Sequence, residues 1–257
     1  MKHVLKKGWR PTLVIILLLI LWELAGRLFD IPAWLLPVPT QVWQEAIQGW
    51  SHYSGHILST IQLTLTGYTI GILVGLAVAI LLFRLPVLQE AFYPLLILSQ
   101  NIPIIVLAPL LVIWFGFGML PKVIIIVLVC FFPITIATLD GLRQTDRDLL
   151  HYMKMTGASN RQIFWKLQWP YALPSLFSGL KIAATYSVMG AVISEWLGAN
   201  KGIGVYMTLA SSSFKTDRVF VAILLIMILS LTFFAIIAWF EKWLFRWQRQ
   251  GGNSSNG

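Results

Sequence analysis

Residue types that could carry out catalysis occur in this sequence, but not at the spacings that catalysis needs. His52 and His56 lie four residues apart, yet no acidic residue or cysteine nearby completes a metal site. The run GANKGIG at 198–204 lacks the spacing of a phosphate-binding loop, and no Gly-x-Ser-x-Gly nucleophile elbow occurs. The sequence therefore predicts no catalytic, metal-binding or cofactor-binding residues.

The polar residues of interest lie inside apolar runs. Gln100 and Asn101 precede Pro103, which lacks a backbone donor and frees carbonyl groups that hydrocarbon cannot satisfy. Glu195 ends another apolar run, and a carboxylate costs about 3 kcal/mol at a bilayer centre and less near its boundary. A structural kink at Pro103 and a solvated carboxylate at Glu195 are the alternatives to a pathway. The predicted pathway residues are Gln100, Asn101, Pro103, Tyr186, Ser187 and Glu195.

Composition places the chain in a membrane. Of its 257 residues, 58% are hydrophobic and 11% are charged, and the mean hydropathy is +0.78. A water-soluble domain of this length does not have such a profile. The net charge of +9 does not indicate nucleic-acid binding, because the basic residues lie at the ends of apolar runs. The single cysteine, Cys130, lies within such a run and is expected to be a small buried side chain.

Six runs are long enough to span a hydrocarbon core of about 30 Å, which takes about twenty residues of helix. We therefore predict an all-α integral membrane protein, a six-transmembrane-helix bundle forming one domain over residues 1–257. No cleavage site follows the N-terminal basic segment, so the first span is expected to be retained. The tail 251–257, GGNSSNG, is expected to be disordered. The predicted spans are 12–29, 57–83, 93–115, 121–139, 175–197 and 219–240.

The distribution of basic residues predicts the orientation. If the N-terminus lies inside, fourteen of the nineteen lysines and arginines face the cytoplasm. The five on the opposite side are Arg27, Lys122, Lys201, Lys215 and Arg218. Because cytoplasmic loops are richer in these residues, both termini are predicted to be cytoplasmic.

Small residues in two spans predict close helix packing. Gly67, Gly71 and Gly75 are spaced four apart and form a glycine ladder on one face of the second span, which we expect to lie against a neighbouring span. The fifth span is rich in small residues and is expected to lie centrally. Its small residues are Ser178, Gly179, Ala183, Ala184, Ser187, Gly190, Ala191 and Ser194.

Residues 143–174 form a polar interruption with the signals of two short helices. Thr145 with Asp148, and Ser159 with Gln162, have the spacing of capping boxes. Gly157 lies between the helices, where a left-handed residue ends the first one, and Pro170 and Pro174 are expected to end the second. We interpret this helix-turn-helix as a docking element on the cytoplasmic side. The residues available for its burial are Leu149, Leu150, Met153, Ile163, Phe164 and Leu167.

The same segment and the span after it resemble a known family. The chain resembles the permease subunit of a bacterial ABC importer, within the nitrate, sulfonate and taurine group, and is most similar to permeases for thiamine pyrimidine precursors and riboflavin-like solutes. It departs from the family where a Glu-Ala-Ala run is replaced by His151, Tyr152 and Met153. The matching residues are Gly157–Ser159, Gln162, Phe164, Pro170, Ala172–Pro174, Gly179–Lys181 and Ala191–Glu195.

The resemblance implies a multi-pass protein of the bacterial cell membrane. Two separate ATPase subunits would bind ATP and Mg²⁺, a second permease copy would complete a homodimer, and an extracytoplasmic binding protein would deliver the solute. The segment 143–174 would then be the loop that couples ATP hydrolysis to transport. The implied coupling residues are Asp148, His151, Tyr152, Met153, Gly157, Ala158, Ser159, Gln162 and Phe164.

The transported solute and the energy source each have an alternative. A thiamine pyrimidine precursor is favoured because the predicted pathway residues are mostly polar and uncharged, with sulfonate, taurine or nitrate next. The alternative energy source is an ion gradient, in which the interrupted third span and Glu195 would form an ion-coupled site. The capped loop, the lack of an inverted repeat and the scarcity of buried acidic residues argue against such a secondary transporter.

Overall fold

The computed structural model describes residues 2–245, with side chains from residue 9 onward, and no strand occurs within that range. The tail 251–257 lies outside the described residues. The helices are α1 Lys2–Leu28, α2 Pro39–Gln48, α3 Trp50–Arg84, α4 Pro86–Ser99, α5 Ile104–Phe115, α6 Met119–Arg143, α7 Arg147–Met155, α8 Asn160–Ile163, α9 Trp169–Glu195, α10 Ile203–Ser212 and α11 Thr216–Leu244, with a π-helical turn at Phe164–Gln168.

Long apolar helices confirm the predicted class, an all-α integral membrane protein. The five continuous helices that could span a membrane are Trp9–Leu28, Trp50–Arg84, Met119–Arg143, Asn160–Glu195 and Thr216–Leu244. They correspond to the first, second, fourth, fifth and sixth predicted spans. The predicted bundle is therefore confirmed in five of its spans, and the third span has a different form.

The third predicted span, 93–115, is not one helix. It consists of α4 and α5, which are bent by 101° at a break between Ser99 and Ile104. Pro103 is the N-cap of α5, and a proline disfavours the α conformation in the residue before it. The helix is thus broken at the point where the sequence predicted an interruption. The pair is either a broken span or a re-entrant loop.

The packing divides into two compact units, so the prediction of one domain over residues 1–257 stays a prediction. The first unit contains residues up to Ser59 and Asn200–Leu225. In it, the backbone amide and the hydroxyl of Thr40 both donate to the Glu23 carboxylate, at 3.1 and 2.9 Å. Arg218 pairs with Glu45 at 2.9 Å. These contacts hold the short helix α2 on α1 and on the start of α11.

The second unit, Thr60–Ala199 with the chain from Ile226, contains the largest core, which is centred on α6. The glycine ladder of α3 lies directly against this helix. A Cβ at Gly67 would lie 2.5 Å from Ile126 Cβ, and one at Gly71 would lie 2.7 Å from Cys130 Cβ. Cys130 itself is fully buried, as predicted. The predicted packing of the glycine ladder against a neighbouring span is therefore confirmed.

Helix α9 packs on α6, as its small residues predicted. Ala183, Ser187 and Ala191 have no exposed surface, and a Cβ at Gly179 would lie 2.7 Å from the Pro133 carbonyl oxygen of α6. The central position of the fifth span is confirmed.

Polar contacts also join the helices of this unit. The Tyr68 hydroxyl of α3 donates to the Leu180 carbonyl at 2.9 Å, and the Thr135 hydroxyl of α6 donates to the Gly75 carbonyl at 3.1 Å. Lys181 of α9 and Glu241 of α11 form an ion pair at 2.8 Å. The three bundle helices α3, α6 and α9 are thus joined by both close packing and hydrogen bonds.

Replacing Gly67 by valine should destabilise the helix bundle, because the new side chain would overlap Ile126. Overpacking of this kind costs about 1–3 kcal/mol. The change is measured as a lower midpoint of thermal unfolding, followed by the reaction of a thiol-specific dye with Cys130, the only cysteine. Gly55→Val on the same helix is the control, since a Cβ at Gly55 meets no atom within 4 Å. Equal midpoints for the two variants would contradict the packing argument.

Candidate docking surface and intramembrane cavity

The first helix of the polar loop, α7, begins at a cap that differs from the predicted one. Asp146 is its N-cap, and the Asp146 carboxylate accepts from the backbone amides of Asp148 (2.8 Å) and Leu149 (3.3 Å). Thr145 instead donates its hydroxyl to the Leu142 carbonyl at 2.9 Å and is buried at the end of α6. The Thr145–Asp148 capping box is therefore wrong. Tertiary packing places the threonine on α6, and the next residue caps α7.

The turn after α7 has the predicted left-handed glycine. Gly157 has φ +78°, and its amide donates to the Lys154 carbonyl at 3.1 Å, while the Ala158 amide donates to the Met153 carbonyl at 3.0 Å. These two bonds form a Schellman motif, which satisfies the last carbonyl groups of the helix.

The predicted capping box at the start of α8 is confirmed. The Ser159 amide donates to the Gln162 side-chain oxygen at 2.8 Å, and the Gln162 amide donates to the Ser159 hydroxyl at 3.3 Å. Side-chain groups at this spacing satisfy each other's exposed backbone donors. The chain direction of α8 is thus set by local contacts.

Helix α8 does not end at Pro170 and Pro174, so that prediction is wrong. It continues through the π-helical turn Phe164–Gln168 into α9, and together they form a span of 36 residues, Asn160–Glu195. The Trp169 amide bonds to the Phe164 carbonyl, five residues back. Proline is tolerated within the first turn of α9, and the wider π turn before it absorbs the change in the hydrogen-bond ladder. The polar loop is therefore joined rigidly to the fifth span.

The surface of α7 is almost entirely uncovered, and none of its residues is buried. Leu149, Tyr152 and Met155 are 43%, 66% and 81% exposed. Leu149 was expected to be available for burial, but it lies open in this chain, whereas Ile163, Phe164 and Leu167 are buried. Apolar side chains exposed on a capped amphipathic helix form a surface suited to docking. The exposed predicted coupling residues are Asp148, His151, Tyr152, Gly157, Ser159 and Gln162, and Met153 and Ala158 are half-buried.

Phe164 differs from the other predicted coupling residues because it is only 6% exposed. Its ring lies 6.3 Å from that of Phe83 and 6.1 Å from that of Trp169, measured between centroids. The Arg84 guanidinium lies over the ring at 5.5 Å. Phe164 therefore anchors the loop on the end of α3, and it contributes little to the exposed surface of α7 and α8.

A cavity of about 430 Å³ lies beside the break between α4 and α5, where α6 and α9 form the opposite wall. Three predicted pathway residues, Gln100, Pro103 and Tyr186, line it together. Several other lining residues were not predicted from the sequence. Met189 could have been, because it follows Tyr186 by three residues and so shares its helix face. The lining residues that were missed include Ser99, Leu107, Leu128, Phe131, Phe132 and Met189.

The cavity lining does not include two other predicted pathway residues. Asn101 donates its amide to the Ile97 carbonyl at 3.1 Å, so it caps the end of its own helix. Ser187 is fully buried and donates to the Ala184 carbonyl at 2.8 Å. Adjacent residues on a helix point in different directions, which separates Ser187 from Tyr186.

Comparison with known proteins identifies the family. Residues 67–246 match the model of the family described as "Binding-protein-dependent transport system inner membrane component". The chain belongs to this family. It is the membrane-embedded permease subunit of an ABC importer, as the resemblance in its sequence predicted.

Relatives of the permease match it along most of its length. The chain is 37% identical to the formylaminopyrimidine transport permease protein of Halalkalibacterium halodurans, over 93% of this chain and 96% of the relative. It is 32% identical to the riboflavin transport system permease protein of Chloroflexus aurantiacus, over 91% of this chain and 88% of that relative. A sulfonate permease of Bacillus subtilis and a taurine permease of Escherichia coli are similar at lower identity. The predicted group within the family is confirmed.

The fold of the permease matches that of a solved transporter. The permease matches the crystal structure of an amino acid ABC transporter with histidines. The TM-score is 0.61 at 18% identity, over 74% of this chain and 92% of that chain. At this identity the match supports the fold alone.

Glu195 lies apart from the cavity lining, near the end of the fifth span of the permease. It is only 2% exposed, so the alternative of a solvated carboxylate is wrong. Its side chain accepts a hydrogen bond from the Thr60 hydroxyl of α3 at 2.7 Å. A buried carboxylate needs such donors, because an unsatisfied charge in a low-dielectric interior is costly. The pair joins α9 to α3.

Replacing Thr60 by valine should lower the midpoint of thermal unfolding. Valine keeps the shape of threonine but removes one donor to the buried carboxylate, a loss of about 1–3 kcal/mol. The dye reaction of Cys130 measures the midpoint. Thr60→Ser retains the hydroxyl and should stay close to the unchanged permease. If the valine and serine variants unfold together, the hydrogen bond contributes nothing to stability.

Proposed function

We propose that the permease docks through α7 and α8, here called the helix pair, on a separate ATPase subunit, and that it carries a thiamine-type pyrimidine precursor. One observation carries the first part: α7 is folded by its caps and has no buried residue. A nine-residue helix with few contacts of its own is marginal in water. A partner that covers its exposed apolar side chains would stabilise it.

The link between the helix pair and the bundle supports a mechanical role. Because α8 runs without interruption into α9, a displacement of the docked surface moves the wall of the cavity that carries Tyr186. We call the continuous helix from α8 through the π-helical turn to α9 the rod. Phe164 packs the start of the rod against the end of α3. We infer rigid-body alternating access, in which nucleotide binding to the ATPase biases one of two packings of the bundle. The orientation that fits this role places both termini in the cytoplasm.

The size of the bundle supports assembly with a second copy. Five continuous spans and one bent pair are few for enclosing a solute pathway. A homodimer about a two-fold axis would double the wall and present two helix pairs to two ATPase subunits. An extracytoplasmic binding protein would deliver the solute from the other side.

The cavity beside the break supports an aromatic, uncharged solute. Tyr186, Phe131 and Phe132 provide ring faces and edges, and Gln100 provides an amide for hydrogen bonding. No charged side chain lines the cavity in the described part of the chain. A small pyrimidine suits this lining better than a bare sulfonate, which would need fixed donors or cations. The identity of 37% to a formylaminopyrimidine permease supports the same solute class.

Transport in a reconstituted system tests the solute and the energy source together. The permease, its ATPase and its binding protein in vesicles should take up labelled formylaminopyrimidine when ATP is supplied at the ATPase, and vanadate should abolish the uptake. Taurine should not compete. Competition by taurine would overturn the solute assignment, and uptake driven by an ion gradient without ATP would favour the ion-coupled alternative.

Replacing Gly157 by valine should uncouple ATP hydrolysis from uptake. The residue has φ +78°, which costs a β-branched side chain about 1–3 kcal/mol, while a Cβ there meets no atom within 4 Å. The defect would therefore come from the backbone of the turn and not from a clash. The measurement is the number of ATP molecules hydrolysed per solute taken up, which should rise.

The matched control is Gly157→Asn, since asparagine tolerates the left-handed conformation. This variant should stay close to the unchanged permease. If valine and asparagine have the same coupling ratio, the left-handed turn is not what transmits the motion.

A further inference from the structure

A second cavity, of about 660 Å³, lies between the end of α3 and the helix pair, and we call it the basic cavity. Three of its lining residues are cations: Arg84, Lys154 and Arg161. Its apolar wall and the two amides at its rim are formed by Phe83, Leu150, Ile163, Phe164, Trp165, Asn160 and Gln168.

The charge of the basic cavity is not balanced within the described part of the chain. No carboxylate is among the residues that line it there, and its three cations form no ion pair with a described residue. Arg84 is held over the Phe164 ring at 5.5 Å, which fixes the position of one guanidinium group at the rim. Clustered cations repel one another, so an anion at this point would be bound favourably.

The basic cavity lies at the boundary of the apolar spans. Arg84 is the last residue of the span Trp50–Arg84, and α8 and the π-helical turn form the start of the span Asn160–Glu195. Trp165 is 55% exposed there, its ring 6.0 Å from that of Trp169. Tryptophan favours the interface between hydrocarbon and water. The cavity therefore sits at the depth of lipid headgroups.

We propose that the basic cavity binds the headgroup phosphate of an anionic phospholipid. The cations at the rim match the phosphodiester, and the apolar wall of Phe83, Leu150 and Ile163 matches the start of the acyl chains. Arginine and lysine clusters at the ends of spans bind such headgroups. A protein surface with acidic residues would match the charge but not the combination of cations and an apolar wall at interfacial depth.

The bound lipid would attach the helix pair to the membrane surface. Lys154 lies in α7 and Arg161 in α8, so one headgroup bridges both helices to the end of α3. The lipid would thereby hold the helix pair in place before an ATPase docks. This consequence rests on the proposed docking function, whereas the binding of lipid does not.

Lipid retention by the purified full-length permease, measured by native mass spectrometry, tests the proposal. The probes are phosphatidylglycerol and phosphatidylcholine, each supplied in mixed micelles. The permease should retain phosphatidylglycerol and not phosphatidylcholine. The double variant Lys154→Gln, Arg161→Gln should retain at least about tenfold less, since each basic residue near an anionic surface contributes about a factor of five. Arg84→Gln should lose about fivefold by the same rule.

A matched double variant controls for general surface charge. Arg147→Gln with Lys166→Gln removes the same charge from the same loop, and neither residue lines the basic cavity. It should retain phosphatidylglycerol as the unchanged permease does. The dye reaction of Cys130 verifies that each variant is folded, and the single Arg84→Gln replaces the double variant of the cavity if that variant fails this check.

Four outcomes would overturn the proposal. The first two are an equal loss of phosphatidylglycerol in the two double variants and equal retention of phosphatidylglycerol and phosphatidylcholine. The third is displacement of phosphatidylglycerol by inorganic phosphate. The fourth is a double variant of the cavity that retains phosphatidylglycerol unchanged but no longer binds the ATPase in a pull-down. The last two would assign the site to free phosphate and to an acidic protein surface. Because lipid retention itself is measured on the permease alone, failure of the proposed function leaves the retention measurements intact.

Discussion

The close approach of α6 to both α3 and α9 is the contact on which the rest of the bundle depends. Within a membrane, apolar side chains gain little by leaving lipid for a neighbouring helix, so packing and hydrogen bonds must hold the helices together. The glycine ladder brings the backbone of α3 against Ile126 and Cys130, and Gly179 does the same for α9. Short distances of this kind allow the Thr135 hydroxyl to reach a carbonyl of α3. Larger side chains at these positions would remove the packing and the hydrogen bonds together.

The proposed docking surface and the cavity are connected because α8 and one wall of the cavity lie on one continuous rod. Helix α8, the π-helical turn and α9 carry the chain from the Gly157 turn to Glu195, and Tyr186 lies along the way. The α9 part of the rod packs closely on α6, which gives this wall of the cavity a fixed position in the bundle. The break between α4 and α5, in contrast, interrupts the helix. Its free backbone groups need protein or water nearby. A rigid wall thus faces an interrupted one across the cavity.

Local features of the fold could be predicted from the sequence, because they depend on residues close together in the chain. The left-handed turn at Gly157 and the periodicity of the spans are of this kind. The glycine ladder and the small residues of α9 predicted that close contacts between spans occur, but which residues meet across distant elements could not be predicted. Thr145 and Asp146 are both good caps, and packing of the threonine on α6 decides between them. Gln100 and Asn101 are adjacent amides, and only the 101° bend determines which one faces the cavity. Pro170 and Pro174 would end a helix in most contexts, but Pro170 lies in the first turn of α9 after the π-helical turn and Pro174 lies within α9.

The ion pair between Lys181 and Glu241 constrains how the chain enters the membrane during synthesis. Both residues lie near the ends of their predicted spans, where an uncompensated charge costs less than at a bilayer centre, and their charged atoms are 2.8 Å apart. They are separated by sixty residues, so at about 5–20 residues per second the lysine waits roughly 3–12 s for its partner to leave the ribosome. During that interval the fifth helix has an uncompensated cation. The ion pair can therefore form only after the last helix has been made, so this contact of the fifth span is completed late in synthesis.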